Sequence, residues 1–159
     1  MGSQSKIKLA YIAGFLDGDG SLMLQLKKRS DSKRAIRFMT TICFYQDARH
    51  SKTLYWIKEV LDIGYISNRN DGMTELRING YEQVRNILKS LSPYIQFKKL
   101  QTRALSQACE ILSGTKFNKL TKKQLVKLVD IILAIQSENY VTKKKKTKNE
   151  LYKILNLTP

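Results

Sequence analysis

The chain has 159 residues, the size of one domain or of two very small ones, and its 42% apolar content is enough to build a core. Lys plus Arg (29) outnumber Asp plus Glu (13), and the net charge of +16 calls for a polyanionic partner. Nucleic acid comes before membrane here, because the apolar run Ile131 to Ile135 is far short of the roughly 20 residues that span a bilayer. Two distant cysteines, Cys43 and Cys109, exclude a disulfide framework or a structural zinc site, and a single histidine, His50, disfavours Ser-His-Asp, Cys-His and His-pair chemistry.

Residues 7–16 read as a short apolar helix with small residues on one face, stopped by Asp17-Gly18-Asp19-Gly20. From Ser21 the period changes to two: Leu22, Leu24 and Leu26 alternate with Met23, Gln25, Lys27 and Arg29. A polar, basic stretch from Lys28 to Lys33 predicts a turn or long hairpin loop. Beyond it, Ile36, Phe38, Thr40, Ile42 and Phe44 alternate with Arg37, Met39, Thr41, Cys43 and Tyr45, a half-buried strand antiparallel to the first.

Residues 48–62 have helical spacing, with Gly64 as the stop signal. A second hairpin is predicted around Asn70-Asp71-Gly72, with Leu76 and Ile78 on one face and Ser67, Arg69, Glu75 and Arg77 on the other. Helices follow at 81–91, ended by Ser92-Pro93, and at roughly 98–112, 122–136 and 148–155, the last two separated by the lysine run from Lys143 to Lys146. The order αββαββα plus C-terminal helices predicts one α+β domain with a four-stranded antiparallel sheet covered on one face. Its core spans about residues 7–140, and a basic extension runs from about 141 to 159.

The solvent-side residues of the two hairpins are cationic and hydrogen-bonding. Such a sheet can lie in the DNA major groove, where Arg grips guanine and Gln pairs with adenine. On an average protein it would be a solvated face, and the net charge shifts the balance toward nucleic acid. The turn Asp17-Gly18-Asp19-Gly20-Ser21 has three readings. As a calcium loop it fails, because the sixth position is Leu22 and the twelfth Lys28. A plain helix-ending turn and a hard-cation site beside phosphate both remain open on spacing alone.

The segment Leu9-Ala10-Tyr11-Ile12-Ala13-Gly14-Phe15-Leu16-Asp17-Gly18-Asp19-Gly20-Ser21 resembles the signature of the LAGLIDADG homing endonucleases. With the ββαββ pattern behind it, the chain is most similar to the compact single-motif members encoded in organellar ribosomal RNA introns, over residues up to about 140. The motif occurs once, which in this family implies a homodimer whose motif helices pack side by side. Ala10, Ala13 and Gly14, spaced i, i+3 and i+4, lack the bulk that would keep two backbones apart, although burial within one core would also satisfy the pattern.

The resemblance implies a site-specific double-strand DNA endonuclease of intron homing, a hydrolase of phosphodiesters at a long, near-palindromic target. Its cofactor would be Mg²⁺, two or more ions shared between subunits. Asp19 would be the metal-binding carboxylate, with the Gly18 carbonyl as a second ligand and Asp17 as a structural member of the turn. Gln46 falls where the family positions the nucleophilic water, and Lys98 where a lysine approaches that water or the phosphate. His50 departs from the arginine of close relatives. DNA contacts are expected from Gln25, Lys27, Arg29, Arg37, Thr41, Tyr45, Ser67, Arg69, Glu75 and Arg77, with Met23, Met39 and Cys43 against thymine methyls or filling space. Phosphate contacts are expected from Lys116 and the run containing Lys143. The competing reading is a non-catalytic RNA maturase or DNA-binding regulator on the same fold. Neither a membrane nor a small-molecule substrate is expected. Two free thiols and no apolar leader point to an intracellular location, an organelle or a prokaryotic cytoplasm.

Overall fold

A computed structural model describes residues 3–29, 31, 35–139 and 143–158. In chain order the elements are α1 (Ser3–Asp19), β1 (Gly20–Lys28), β2 (Ile36–Asp47), α2 (Lys52–Leu61), β3 (Tyr65–Asn68), β4 (Met73–Asn79), α3 (Tyr81–Leu91), α4 (Lys99–Gly114), α5 (Lys122–Glu138) and α6 (Lys148–Ile154). The strands form one sheet in the order β1-β2-β4-β3, antiparallel throughout. Each hairpin is a sequence-adjacent pair, and the pairing of β2 with β4 joins them.

Alternation along the strands sorts the sheet into two faces. Leu22, Leu24, Leu26, Phe38, Ile42, Phe44, Leu76 and Ile78 are all buried against the helices. Helices α3 to α5 cover them with Val84, Leu88, Leu91, Leu105, Ala108, Leu112, Leu128, Ile132 and Ile135. The Tyr81 hydroxyl donates to the Phe38 carbonyl at 2.6 Å and pins the start of α3 to the sheet. The second hairpin turns at Gly72, whose φ of +79° only glycine takes without strain. Thr121 with Gln124 and Thr147 with Glu150 form capping boxes that start α5 and α6.

Two expectations change. The first helix does not stop at residue 16 but runs through Asp17-Gly18-Asp19, so both aspartates stand on a helix's last turn. The chain passes directly into β1 at Gly20, where a Cβ would lie 2.5 Å from the Leu16 side chain and 2.8 Å from its carbonyl oxygen. The 48–62 helix divides into a 3₁₀ turn, Ala48–His50, and α2, because the Asp47 side chain caps the backbone of Arg49. The predicted helix in the basic extension is present as α6, and Leu151, Tyr152 and Leu155 join the main core beside α5. Much of the expected 28–33 loop (residues 30, 32 and 33) lies outside the described residues. None of the described helices is long and apolar enough to cross a membrane.

Candidate active site and nucleic-acid interface

The motif ends in two carboxylates with opposite surroundings. Asp17 is buried, and its carboxylate accepts backbone N–H groups from Gln96 (2.6 Å), Phe97 (3.2 Å) and Lys98 (3.0 Å). Those residues lead into α4, which has no side-chain cap of its own. The Lys98 ammonium answers by donating to the Asp17 carbonyl oxygen at 2.5 Å. Asp17 is therefore an anchor that ties the entrance of α4 to the end of α1.

Asp19 is exposed, and its carboxylate makes no hydrogen bond or salt bridge among the described residues. Its charge is felt by Lys98. Burial pulls the Lys98 ammonium below its ordinary pKa, and the negative charges of Asp17 and Asp19 pull partly back. The carbonyls of the last helical turn, Gly18 among them, carry the negative end of the helix dipole. Gln46 lies two residues beyond Phe44, the partner of Gly20 across β1 and β2. That places it at the strand end beside the motif, with its Oε1 accepting the Asp47 N–H at 2.9 Å. His50 is exposed in the 3₁₀ turn. Its neighbour Arg49 grips Asp47 at 2.9 and 3.0 Å and holds that carboxyl down at about 2.

Carboxylate and carbonyl oxygens are the donors that a hard divalent cation takes. Yet no group of three His, Cys, Asp or Glu side chains gathers around a common point among the described residues. One chain thus offers Asp19 and helix-end carbonyls, a donor set of the right kind for half of a site.

Helix α1 is apolar on two sides. Leu9, Ile12, Ala13 and Leu16 face the core, whereas Ala10 and Gly14 lie on an exposed stripe with Ile7 (67% exposed) and Tyr11 (55%). A helix apolar all round belongs in an interior. Ala13 departs from the expected interface set, because the turn of the helix packs it wholly inside its own chain. A Cβ built on Gly14 meets nothing within 4 Å, so this protomer has no use for the missing side chain. Beside the stripe, Ile7, Lys8, Tyr11, Lys52, Thr53 and Trp56 line an open, mainly apolar groove of about 460 Å³.

The open sheet face carries the expected polar residues in cross-strand rows. From the motif end outward these are Tyr45–Glu75–Ser67, Ser21–Cys43–Arg77–Tyr65, Met23–Thr41–Asn79, Gln25–Met39 and Lys27–Arg37. Lys27 and Arg37 are exposed and have no ion-pair partner among the described residues. Arg29 is held by Asp31 at 2.6 Å and Arg69 by Asp71 at 2.8 Å. Tyr45 shares a hydrogen bond with Ser21 at 3.0 Å, and burial raises its hydroxyl to about 12.

Two residues expected to touch a ligand do not lie open. Thr41 is fully buried and donates to Asn79 at 2.7 Å. Glu75 is 7% exposed, accepting from Arg77 and Ser67. Both sit on the two central strands, where longer neighbours close over them. Cys43 is likewise fully buried and forms part of the floor. Asn79 and Tyr65 belong to this face too, linked at 3.3 Å, and strand parity with Arg77 and Ser67 points to both. Lys116 is exposed ahead of the 3₁₀ turn Phe117–Lys119, whose Phe117 ring packs 5.9 Å from Phe38. Lys143 is exposed. Lys146, in the same run, is bracketed by Gln136 and reaches the Leu26 carbonyl at 3.5 Å, which sets the run beside the outer end of β1.

Comparison with known proteins gives a consistent result. Residues 12–109 match the profile of the family described as LAGLIDADG endonuclease. DNA endonuclease I-CvuI of Chlorella vulgaris is 31% identical over 111 residues, 70% of this chain and 69% of that protein. DNA endonuclease I-CreI of Chlamydomonas reinhardtii is 25% identical over 142 residues, 89% of this chain and 84% of that one. A crystal structure of I-CvuI in complex with its target in the presence of calcium superposes with a TM-score of 0.82 at 22% identity, covering 98% of this chain and 96% of that one.

Proposed function

Since the chain belongs to the LAGLIDADG endonuclease family, we propose that it cuts both strands of DNA at a long, near-palindromic site as a homodimer. Divalent cations, magnesium first, would be its cofactor, with the Asp19 carboxylate of each protomer as a ligand. I-CvuI and I-CreI bear the name DNA endonuclease, and the I-CvuI structure contains target DNA and calcium.

The observation that carries this reading is the Asp19 carboxylate, exposed and without a hydrogen bond or salt bridge among the described residues, at the end of an exposed apolar helix stripe and beside the half-buried Lys98 ammonium. Packing two copies of the stripe about a two-fold axis buries Ile7, Ala10, Tyr11 and Gly14 and brings both Asp19 side chains to one end. A cation held there would supply Lewis-acid chemistry, stabilising charge on the leaving oxygen and lowering the pKa of water. Asp19 and the Gly18 carbonyl would hold it. Lys98, steadied by the Asp17 carbonyl, presents its positive charge to the phosphate being attacked. Gln46, at the strand end, orients water through its amide.

The sheet face reads the groove. Six residues separate Ser21 from Lys27, about 20 Å of strand at ~3.4 Å per residue, so one protomer follows about six base pairs outward from the cut. Lys116 and Lys143 bind backbone phosphates on the flanks. The protein works where DNA is, inside a cell or organelle.

The test is cleavage of a library of near-palindromic duplexes with Mg²⁺, by the wild type and by Asp19→Asn. Cutting is expected from the wild type only, with DNA binding kept by the variant. A wild type that binds duplexes without nicking any of them, with or without Mg²⁺, overturns the reading.

A further inference from the structure

Four arginines lie on the groove-facing side of the sheet within its described part, and their surroundings differ. Arg37 is exposed and unpaired among the described residues. Arg29 and Arg69 are turned onto exposed aspartates near the loops, Arg29 through Nε and Nη2 to Asp31 and Arg69 through Nη2 to Asp71. Arg77 is anchored inward by a hydrogen bond, its Nε donating to Glu75 Oε1 at 2.7 Å. Glu75 is in turn fixed from several sides: Ser67 Oγ at 3.3 Å, Cys43 Sγ at 3.8 Å and Arg69 Nη1 at 3.9 Å. A buried carboxylate in the middle of a cationic face, with its donors converging on it, is a costly arrangement for a protein that needs only to attract phosphate.

From this geometry we infer that Glu75 touches no DNA and instead positions Arg77, and that Arg77 reads a guanine close to the cleavage site in each half-site. The inference rests on the endonuclease reading above and adds to it a base and a division of labour. A guanidinium held by its Nε keeps its two terminal nitrogens free, side by side, the fork that matches the O6 and N7 acceptors of guanine. Arg77 is 28% exposed at its side chain, so its stem is confined while the tip reaches the groove, and little rotamer freedom is left to lose on binding.

Register gives the place. Arg77 stands in the row of Ser21 and Cys43, next to the Gly20 row where β1 leaves the motif helix. The free cations Lys27 and Arg37 lie three rows farther out, about 20 Å away by strand rise. The guanine read by Arg77 thus belongs to the inner part of the half-site, and two-fold symmetry repeats it in the other half. Glu75 and Arg77 cancel each other's charge, so the pair contributes selectivity without adding to the general attraction for phosphate.

The test is selection of bound duplexes from a randomised pool by the wild type, Arg77→Ala, Glu75→Ala, Glu75→Gln and the Glu75/Arg77 double alanine variant. Thermal melting verifies that each variant is folded. The wild type is expected to demand guanine at one inner position per half-site. Arg77→Ala and Glu75→Ala should each relax that position by about tenfold or more, leaving the outer positions unchanged. Glu75→Gln, which keeps an acceptor for Nε, should retain part of the preference. In the Arg77→Ala background, removal of Glu75 should change nothing further, because its effect passes through the arginine. Two results overturn the inference: Glu75→Ala shifting preference at a different base pair, which makes Glu75 a direct contact, or the guanine preference surviving in full without Glu75. A wild type that selects no sequence at all overturns the endonuclease reading together with this one.

Discussion

Two aspartates separated by one glycine do opposite work, and their partners explain the difference. Asp17 satisfies three backbone N–H groups at the entrance of α4 that no other group caps. Asp17→Ala is expected to destabilise the fold by about 3 kcal/mol, the scale for bonds to a charged acceptor, and chemical denaturation measures it. Asp19→Asn should melt as the wild type does, because no hydrogen bond or salt bridge among the described residues uses that carboxylate. It should lower the Lys98 pKa further: one of the two negative charges that favour the ammonium is removed while burial stays the same. An NMR titration of the lysine side chain checks the direction, and an unchanged Lys98 would separate the two groups electrostatically.

Helix α1 shows why an element can carry information that its own chain does not use. Its inner side packs like any core helix, and its outer side exposes Ile7 and Tyr11. Gly14→Leu provides a clean experiment, since a Cβ at this position meets nothing within 4 Å in the protomer. The variant should fold and melt normally, sediment as one chain rather than two, and lose double-strand cleavage. A Gly14→Leu protein that remains a dimer would place the interface elsewhere. The sheet is complementary in this respect: one face packs on the helices, and the other holds its polar side chains in a network of their own. Thr41, Cys43 and Glu75 form the floor of that network, and longer side chains rise from it.

For the whole molecule, charge is the dominant property. A surplus of +16 on 159 residues gives an affinity for polyanions that falls steeply with salt. The lysine run lies beside the outer end of β1, held there by the Gln136–Lys146 bracket and the burial of Leu151 and Tyr152. Replacing Lys143 to Lys146 by alanine should weaken binding about equally for all DNA sequences. It should also reduce the slope of log affinity against log salt by roughly one for each phosphate that is no longer neutralised. Fold stability should change little, because α6 is anchored by buried Leu151 and Tyr152 and Gln136 binds the Lys146 backbone, which alanine keeps; only the long Lys146–Leu26 contact is lost. A change in base preference would instead assign these lysines to readout.

Local patterning was enough to reveal the strands, the Asn70-Asp71-Gly72 turn, the α+β order and the motif with its acidic end. Each of these depends on residues near one another in the chain, where periodicity and turn chemistry act directly. Motif resemblance singled out Asp19, Gln46 and Lys98, but it carried no information on what surrounds them. The bond from Lys98 to the Asp17 carbonyl joins residues 81 apart in the chain, and no local rule anticipates it. Strand alternation put Thr41 and Glu75 on the groove side, and burial then withdrew them, because a central strand shares its surface with neighbours that alternation does not see. Ala13 was separated from Ala10 and Gly14 in the same way, by the angle at which the helix meets its own core. Sequence thus settles which face or turn a residue occupies, since that follows from local backbone geometry. Exposure, partner and freedom to act depend on residues far away in the chain, and they come into being only when the elements pack.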